Sequence, residues 1–195
     1  MLLSHKNAWV FIHVPRTGGT SLRQVLSPHA EFEHHNDAWQ HASAAWIRHR
    51  HVGDKWPTYF SFGVIRNPWD LTWSDYHYRR QIAATLAPNV AQREWFAECQ
   101  QAAEWTFAEF VRWYCGRGNR GMAQLYLQDV SYVARFEDLA GGARHILGRL
   151  GIPDTPLPHV NASDHGPYRC CYDRRSKDLV ARKFADDIRR FDYEF

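Results

Sequence analysis

The stretch FIHVPRTGGTSL, residues 11–22, decides how this chain is read. It begins inside a β-rich apolar run, AWVFIHV (8–14), passes through Pro15 and the pair Gly18-Gly19, and continues as TSLRQVL, a helical pattern stopped by Pro28. Strand, glycine loop and helix in that order build an anion site, because the loop offers backbone N–H groups and the helix N-terminus adds its partial positive charge. Glycine accepts positive φ and lets amides approach a ligand without a Cβ in the way. Thr17, Thr20 and Ser21 add hydroxyl donors, and Arg16 adds a fixed positive charge. The nucleotide phosphate-loop pattern G-x-x-x-x-G-K-[ST] is not met, since no lysine follows the glycines. The same residues also suit a tight strand–helix connection with no ligand, so the choice falls to the rest of the chain.

A second segment has similar architecture. YFSFGVI (59–65) is an apolar, β-rich run ending at RNPWD, where Asn67 suits a helix N-cap and Pro68 the first turn of a helix continuing through LTWSDYHYRR. SYVARF (131–136) predicts a third strand. Helices are expected at TFAEFVRWYC, where Thr106 and Glu109 have capping-box spacing, and at GGARHILGRL, which ends at Gly151. A last helix is expected from Ser176, with Leu179, Val180, Phe184, Ile188 and Phe191 recurring at helical spacing. Residues 85–104 read as a loop plus a short helix. Strands alternating with helices predict a parallel β-sheet flanked by helices, an α/β fold. Ligands in open sheets of this kind sit beyond the carboxyl ends of the strands, so loops 15–20 and 66–74 are expected to line one crevice. Arg66 at a strand end and Ser74 within the following helix then suit one bulky anion.

Composition narrows the function class. The 195 residues suit a single domain spanning 1–195 with a substantial core. Hydrophobic residues make up 45% and charged residues 23%, as in soluble globular proteins. A net charge of +3 without a dense basic run suits an anionic small ligand and argues against nucleic acid as partner. No stretch approaches the roughly 18 apolar residues of a membrane span, and no signal peptide is legible. A cytoplasmic location with free thiols at Cys99, Cys115, Cys170 and Cys171 is the resulting expectation.

Taken together, the two loops resemble a known pair of motifs. FIHVPRTGGTSL resembles the 5′-phosphosulfate loop of sulfotransferases, F-I-H-[IV]-P-K-T-G-G-T-S, and FGVIRNPWDLTWSDY resembles their 3′-phosphate motif, R-N-P-x-D-x-x-x-S-x-Y. The resemblance continues through ARFEDL (134–139), LPHVNAS (157–163) and the closing CYDRRSKDLVARKFADDIRRFDYEF, and is weakest over 75–130. The group it points to is the Golgi-type carbohydrate sulfotransferases and their bacterial relatives. It implies a P-loop-type sheet and a metal-free transfer from 3′-phosphoadenosine 5′-phosphosulfate (PAPS) to an acceptor hydroxyl, on a carbohydrate or small molecule. Arg16, Thr17, Gly18, Gly19, Thr20 and Ser21 would hold the phosphosulfate end, and Arg66 with Ser74 the 3′-phosphate. Tyr168, after HVNASDHGP, is a further candidate beside the nucleotide. Two departures stand out: the family's loop lysine is Arg16 here, and Leu71 stands where many relatives carry arginine.

Sulfuryl transfer is expected to follow the logic of phosphoryl transfer, with in-line displacement, charge stabilised on the leaving oxygen and a base for the acceptor hydroxyl. Histidine suits the base, but the chain has 12. His41 is the first candidate, in a segment resembling the HATA stretch of relatives. His13, on the first strand just before the loop, is the second, with loop support as its alternative role. Glu31 and Glu33 are weaker options. His34-His35 and His49-x-His51 invite a metal reading, which lacks a completing carboxylate or cysteine cluster. Arg135 and Glu137 read as a structural ion pair. Trp39, Trp46, Trp95 and Trp105 suit either stacking on an acceptor or the core. The competing functions are a non-catalytic protein that keeps the fold and a divergent, kinase-like P-loop nucleotide-binding protein.

Overall fold

Short apolar runs need cover on both faces when they lie in the middle of a sheet, and that requirement organises the first part of the molecule. The computed structural model describes residues 1–33, 40–85, 94–118, 120–158 and 166–195. They cluster into two units, Met1–Arg66 with Met122–Ala162, and Asn67–Gly121 with Ser163–Phe195.

The first unit holds β1 (Leu2–Ser4), β2 (Trp9–Ile12), α1 (Gly19–Leu26), β3 (Phe32–Glu33), α2 (Ala44–Ile47) and β4 (Phe60–Ile65). The spatial order is β3-β1-β2-β4 followed by β5 (Tyr132–Arg135). β2, β4 and β5 are parallel, with Phe11 opposite Phe62 and Phe62 opposite Tyr132. These are the three strands expected from the apolar runs, and the fold is α/β. The sheet as a whole is mixed, because β1 pairs antiparallel with both β2 and β3. The connection from Ser4 to Trp9 is too short for a crossover, so β1 and β2 form a hairpin. Glu31 holds that turn, accepting from Ser4 Oγ (3.1 Å) and from the amides of His5 and Lys6 (3.1 and 2.8 Å).

Every β2 residue is buried. On one face Trp9, Phe11, Phe62, Val64 and Ala134 pack with Leu22 and Leu26 of α1 and with Ala143, Ile146 and Leu147. The last three lie on a helix at Leu139–Leu150, which ends at the left-handed Gly151 as its sequence predicts. On the other face a Cβ at Gly63 would lie 2.4 Å from Leu127 Cδ2, so Leu127 rests directly on the strand backbone. Each large side chain so buried contributes roughly 1.5–3 kcal/mol. This packing fixes α1, and with it the loop that precedes α1.

The second unit is helical. It contains α3 (Pro68–Thr85), α4 (Glu94–Glu104) and α5 (Phe107–Gly116); α6 (Met122–Tyr126) and α7 (Leu139–Leu150) belong to the first unit, and α8 (Arg174–Lys183) and α9 (Ala185–Phe191) complete the second. The caps read from sequence are present. Asn67 Oδ1 accepts from the Trp69 amide at 3.1 Å, with Pro68 in the first turn, and Thr106 with Glu109 forms a reciprocal capping box. The last helix begins at Arg174 rather than at Ser176, because Asp173 takes the cap and accepts from the Ser176 amide at 2.6 Å. It is also divided at Phe184 into α8 and α9. Residues 85–104, read as a loop with a short helix, contain the end of α3 and the 11-residue α4.

Candidate anion-binding site

The loop after β2 carries two left-handed residues at alternate positions, Arg16 (φ 61°) and Gly18 (φ 74°). Glycine enters that region freely, whereas arginine does so at a cost, so Arg16 is held there by its surroundings. Part of the hold is visible: Arg66 Nη1 donates to the Arg16 carbonyl at 3.0 Å. Arg66 is 9% exposed, and its guanidinium lies 4.1 Å from the centre of the Phe136 ring. Phe136 in turn packs on Gly18, where a Cβ would sit 3.1 Å from its ring and 2.8 Å from Leu139 Cδ2. Left-handed residues at such spacing turn successive amides toward one side, the geometry of anion-binding backbone concavities. α1 follows with no acidic side chain in its first turn, so the positive end of its dipole is left uncompensated by the helix itself.

The hydroxyls divide. Thr17 is 1% exposed and its Oγ1 donates to the Val14 carbonyl at 2.9 Å, which engages its proton in holding the loop closed. Thr20 is half-buried and Ser21 buried within the first turn of α1, the Ser21 amide donating to the Gly18 carbonyl at 3.1 Å.

Two histidines stand together behind the loop. His13 is 3% exposed, stacks on Phe11 at 5.7 Å and lies 4.7 Å from the His41 ring. Its ring occupies the space a Cβ at Gly19 would need, 2.1 Å from Cδ2, so glycine is required there by packing. Its Nδ1 has no hydrogen-bond partner among the described residues. His41 Nδ1 donates to the His13 main-chain carbonyl at 2.7 Å, and its Nε2 lies 3.2 Å from Gln40 Nε2. The structure therefore brings together His13, Arg16, Gly18, Gly19, His41 and Arg66. It adds three residues that sequence reading did not single out: Phe136, Gln40 and Arg23.

Burial pushes the His13 imidazole down to about 2, with the neighbouring His41 as the next cause. His13 is therefore neutral wherever the protein is folded near neutral pH. An unfolded chain would bind this proton below the ordinary histidine value of about 6.5. Stability from His13 is thus complete above that value and declines as pH falls toward the folded one, by at most about 1.4 kcal/mol per pH unit. Urea midpoints are expected to drop between pH 7 and pH 5, and His13→Leu is expected to flatten that drop; an unchanged pH slope in the variant would remove His13 as its source.

Ser74 is fully buried on α3 of the second unit. Tyr168 is half-buried in that unit, edge-on to Phe195 at 5.7 Å. Glu31 is engaged at the β1–β2 turn, and Glu33 accepts from Arg23 Nε at 2.6 Å and from Ser27 Oγ at 2.9 Å. Arg135 and Glu137 form a wide, exposed ion pair at 3.9 Å. Trp105 packs against Trp113 at 5.3 Å, and Trp95 is 38% exposed. His34, His35, Trp39, Asn161 and Ser163 lie outside the described residues. No group of three histidine, cysteine or acidic side chains suited to a metal occurs among the described residues, and no described helix is long and apolar enough to cross a membrane.

No protein-family model matches the chain, and no curated protein matches it in sequence. Among solved structures, the chain is similar to the crystal structure of a sulfotransferase from Alicyclobacillus acidocaldarius, at 15% identity and a TM-score of 0.44, with 97% of this chain and 95% of that chain covered.

Proposed function

We propose that this protein is a PAPS-dependent sulfotransferase acting on an acceptor hydroxyl, with a carbohydrate as the acceptor class. The observation that carries the reading is the loop itself: left-handed Arg16 and Gly18 ahead of an uncompensated helix N-terminus, with an imidazole pair at its back. The two motifs that resemble the family's donor site add to it. In this reading the amides of residues 16–21 receive the phosphosulfate end of the donor. Arg16 neutralises charge on the leaving oxygen in place of the family's lysine, Arg66 serves the 3′-phosphate, and His41 takes the acceptor proton. His13 is a neutral filler that holds Gly19 and the loop in register. The Thr17 hydroxyl is excluded from the donor's reach as a hydrogen donor, since its proton already goes to Val14.

Calorimetric titration with 3′-phosphoadenosine 5′-phosphate tests the reading. Micromolar binding is expected, with ADP and magnesium-ATP about tenfold weaker or worse, a difference of about 1.4 kcal/mol carried by the 3′-phosphate. Equal binding of ADP, or none of either, would overturn the assignment. A second reading, nucleotide binding without transfer, is favoured by one observation, that Arg16 replaces a lysine whose compact ammonium a planar guanidinium does not reproduce. Binding with no turnover on any acceptor would select it.

A further inference from the structure

The donors and acceptors around His41 can be assigned without reference to any hydrogen position. The His13 carbonyl only accepts, so His41 Nδ1, 2.7 Å from it, carries a proton. Arginine only donates, so the Gln40 atom 3.3 Å from Arg23 Nη1 is the amide oxygen. The Gln40 NH2 group is then the one facing His41 Nε2 at 3.2 Å. An NH2 donor requires a lone pair opposite it, so Nε2 is bare. Were Nε2 protonated as well, two donors would face each other. Arg23 is itself held by Glu33, through Nε at 2.6 Å.

We infer that Gln40 is a positioning residue for His41: its side-chain amide, oriented by Arg23, holds the imidazole in the tautomer whose lone pair is on Nε2. This rests on the proposed role of His41 as base and deepens it. A general base must present a lone pair to the proton it removes, and imidazole has only one. The chain Glu33–Arg23–Gln40–His41–His13 carbonyl selects which nitrogen offers it, and it opposes protonation of the ring. Gln40 also sits where an acceptor hydroxyl would bind Nε2. An arriving hydroxyl exchanges one hydrogen bond to Nε2 for another, and the tautomer is kept because the His13 carbonyl still fixes Nδ1–H. Among the described residues, the charged and titratable groups around His41 in this arrangement include the His13 ring, which is neutral, the Arg23–Glu33 pair behind Gln40, and the Met1 amine, which donates to the Gln40 carbonyl at 2.6 Å.

The test is a long-range proton–nitrogen correlation spectrum of the imidazoles in the full-length protein, with His41 assigned by its absence in His41→Ala. The wild type is expected to show a protonated Nδ1 and a bare Nε2 at pH 7. In Gln40→Glu a carboxylate faces Nε2, so a proton on Nε2 becomes favourable. The His41 titration midpoint should then rise by about one to three pH units, the usual effect of a carboxylate partner. Gln40→Leu removes the opposing donor without adding charge, so its midpoint should rise by less; it also serves as the readable variant if Gln40→Glu does not fold. A wild-type spectrum with Nε2 protonated, or a midpoint unmoved in both variants, would overturn the inference. These spectra are independent of sulfuryl transfer. If 3′-phosphoadenosine 5′-phosphate fails to bind while the tautomer is as stated, the functional reading falls and the network stands. Binding with the opposite tautomer would keep the functional reading and remove the network.

Discussion

Alanine at position 41 is expected to lower turnover by about two orders of magnitude or more, the usual worth of a positioned general base, while donor affinity stays within about threefold of wild type. The expectation follows from where His41 stands. Its Nδ1 is tied to the main chain of His13, at the end of the strand that leads into the anion loop, so the ring is held beside the loop without contributing to the loop's cradle. Removing it takes away a proton acceptor and leaves the anion contacts in place. It also leaves the His13 carbonyl without this donor, at a cost of about 1–3 kcal/mol if that carbonyl stays dry. A thermal melt therefore has to accompany the kinetics. A folded, fully active His41→Ala would remove the residue from the reaction. A variant that loses turnover and donor affinity in the same proportion would assign His41 to holding the loop through His13, and the base would have to be sought elsewhere.

The parts of this site that sequence made legible are those with a local cause. The run into Gly18-Gly19, the caps at Asn67 and Thr106 and the three parallel strands each follow from neighbours a few residues apart. His13 stands apart from the other histidines by its position just before the loop, and His41 by the resemblance of its segment to the HATA stretch of relatives; the structure sets their rings side by side. What remained illegible depends on distant partners. Gln40 is an ordinary polar residue until Arg23 and His41 meet it from either side. Phe136 lies in the quoted segment ARFEDL, yet nothing in that segment shows that its ring would receive the Arg66 guanidinium and fill the space beside Gly18. β1 and β3 are three and two residues long, too short for alternation to register. Thr17 shows the opposite case. A hydroxyl in an anion loop reads as a ligand from composition, and only the geometry shows its proton engaged by Val14.

Arg66→Ala is expected to weaken binding of 3′-phosphoadenosine 5′-phosphate by about two orders of magnitude, roughly 3 kcal/mol. Two causes lead to that loss, and they make different predictions for a second ligand. From sequence, Arg66 is a cation at a strand end suited to a 3′-phosphate, and removing a charge-assisted hydrogen bond of that kind costs about 1.5–3 kcal/mol. In the structure, Arg66 also braces the left-handed Arg16 through its carbonyl and covers Phe136, so its loss lets the loop relax away from the conformation that gathers the amides. ADP lacks the 3′-phosphate and meets only the loop. If Arg66 acts on the 3′-phosphate, the variant loses 3′-phosphoadenosine 5′-phosphate and keeps its weak ADP affinity. If it acts as a brace, both ligands weaken together. Arg66→Lys sharpens the comparison, because lysine keeps the charge but loses the planar stack on Phe136 and the fixed fork toward Arg16. Recovery of the 3′-phosphate preference in Arg66→Lys would place the effect in charge, and failure to recover ADP binding in the same variant would place it in the brace. Wild-type affinity for both nucleotides in Arg66→Ala would remove Arg66 from the site altogether.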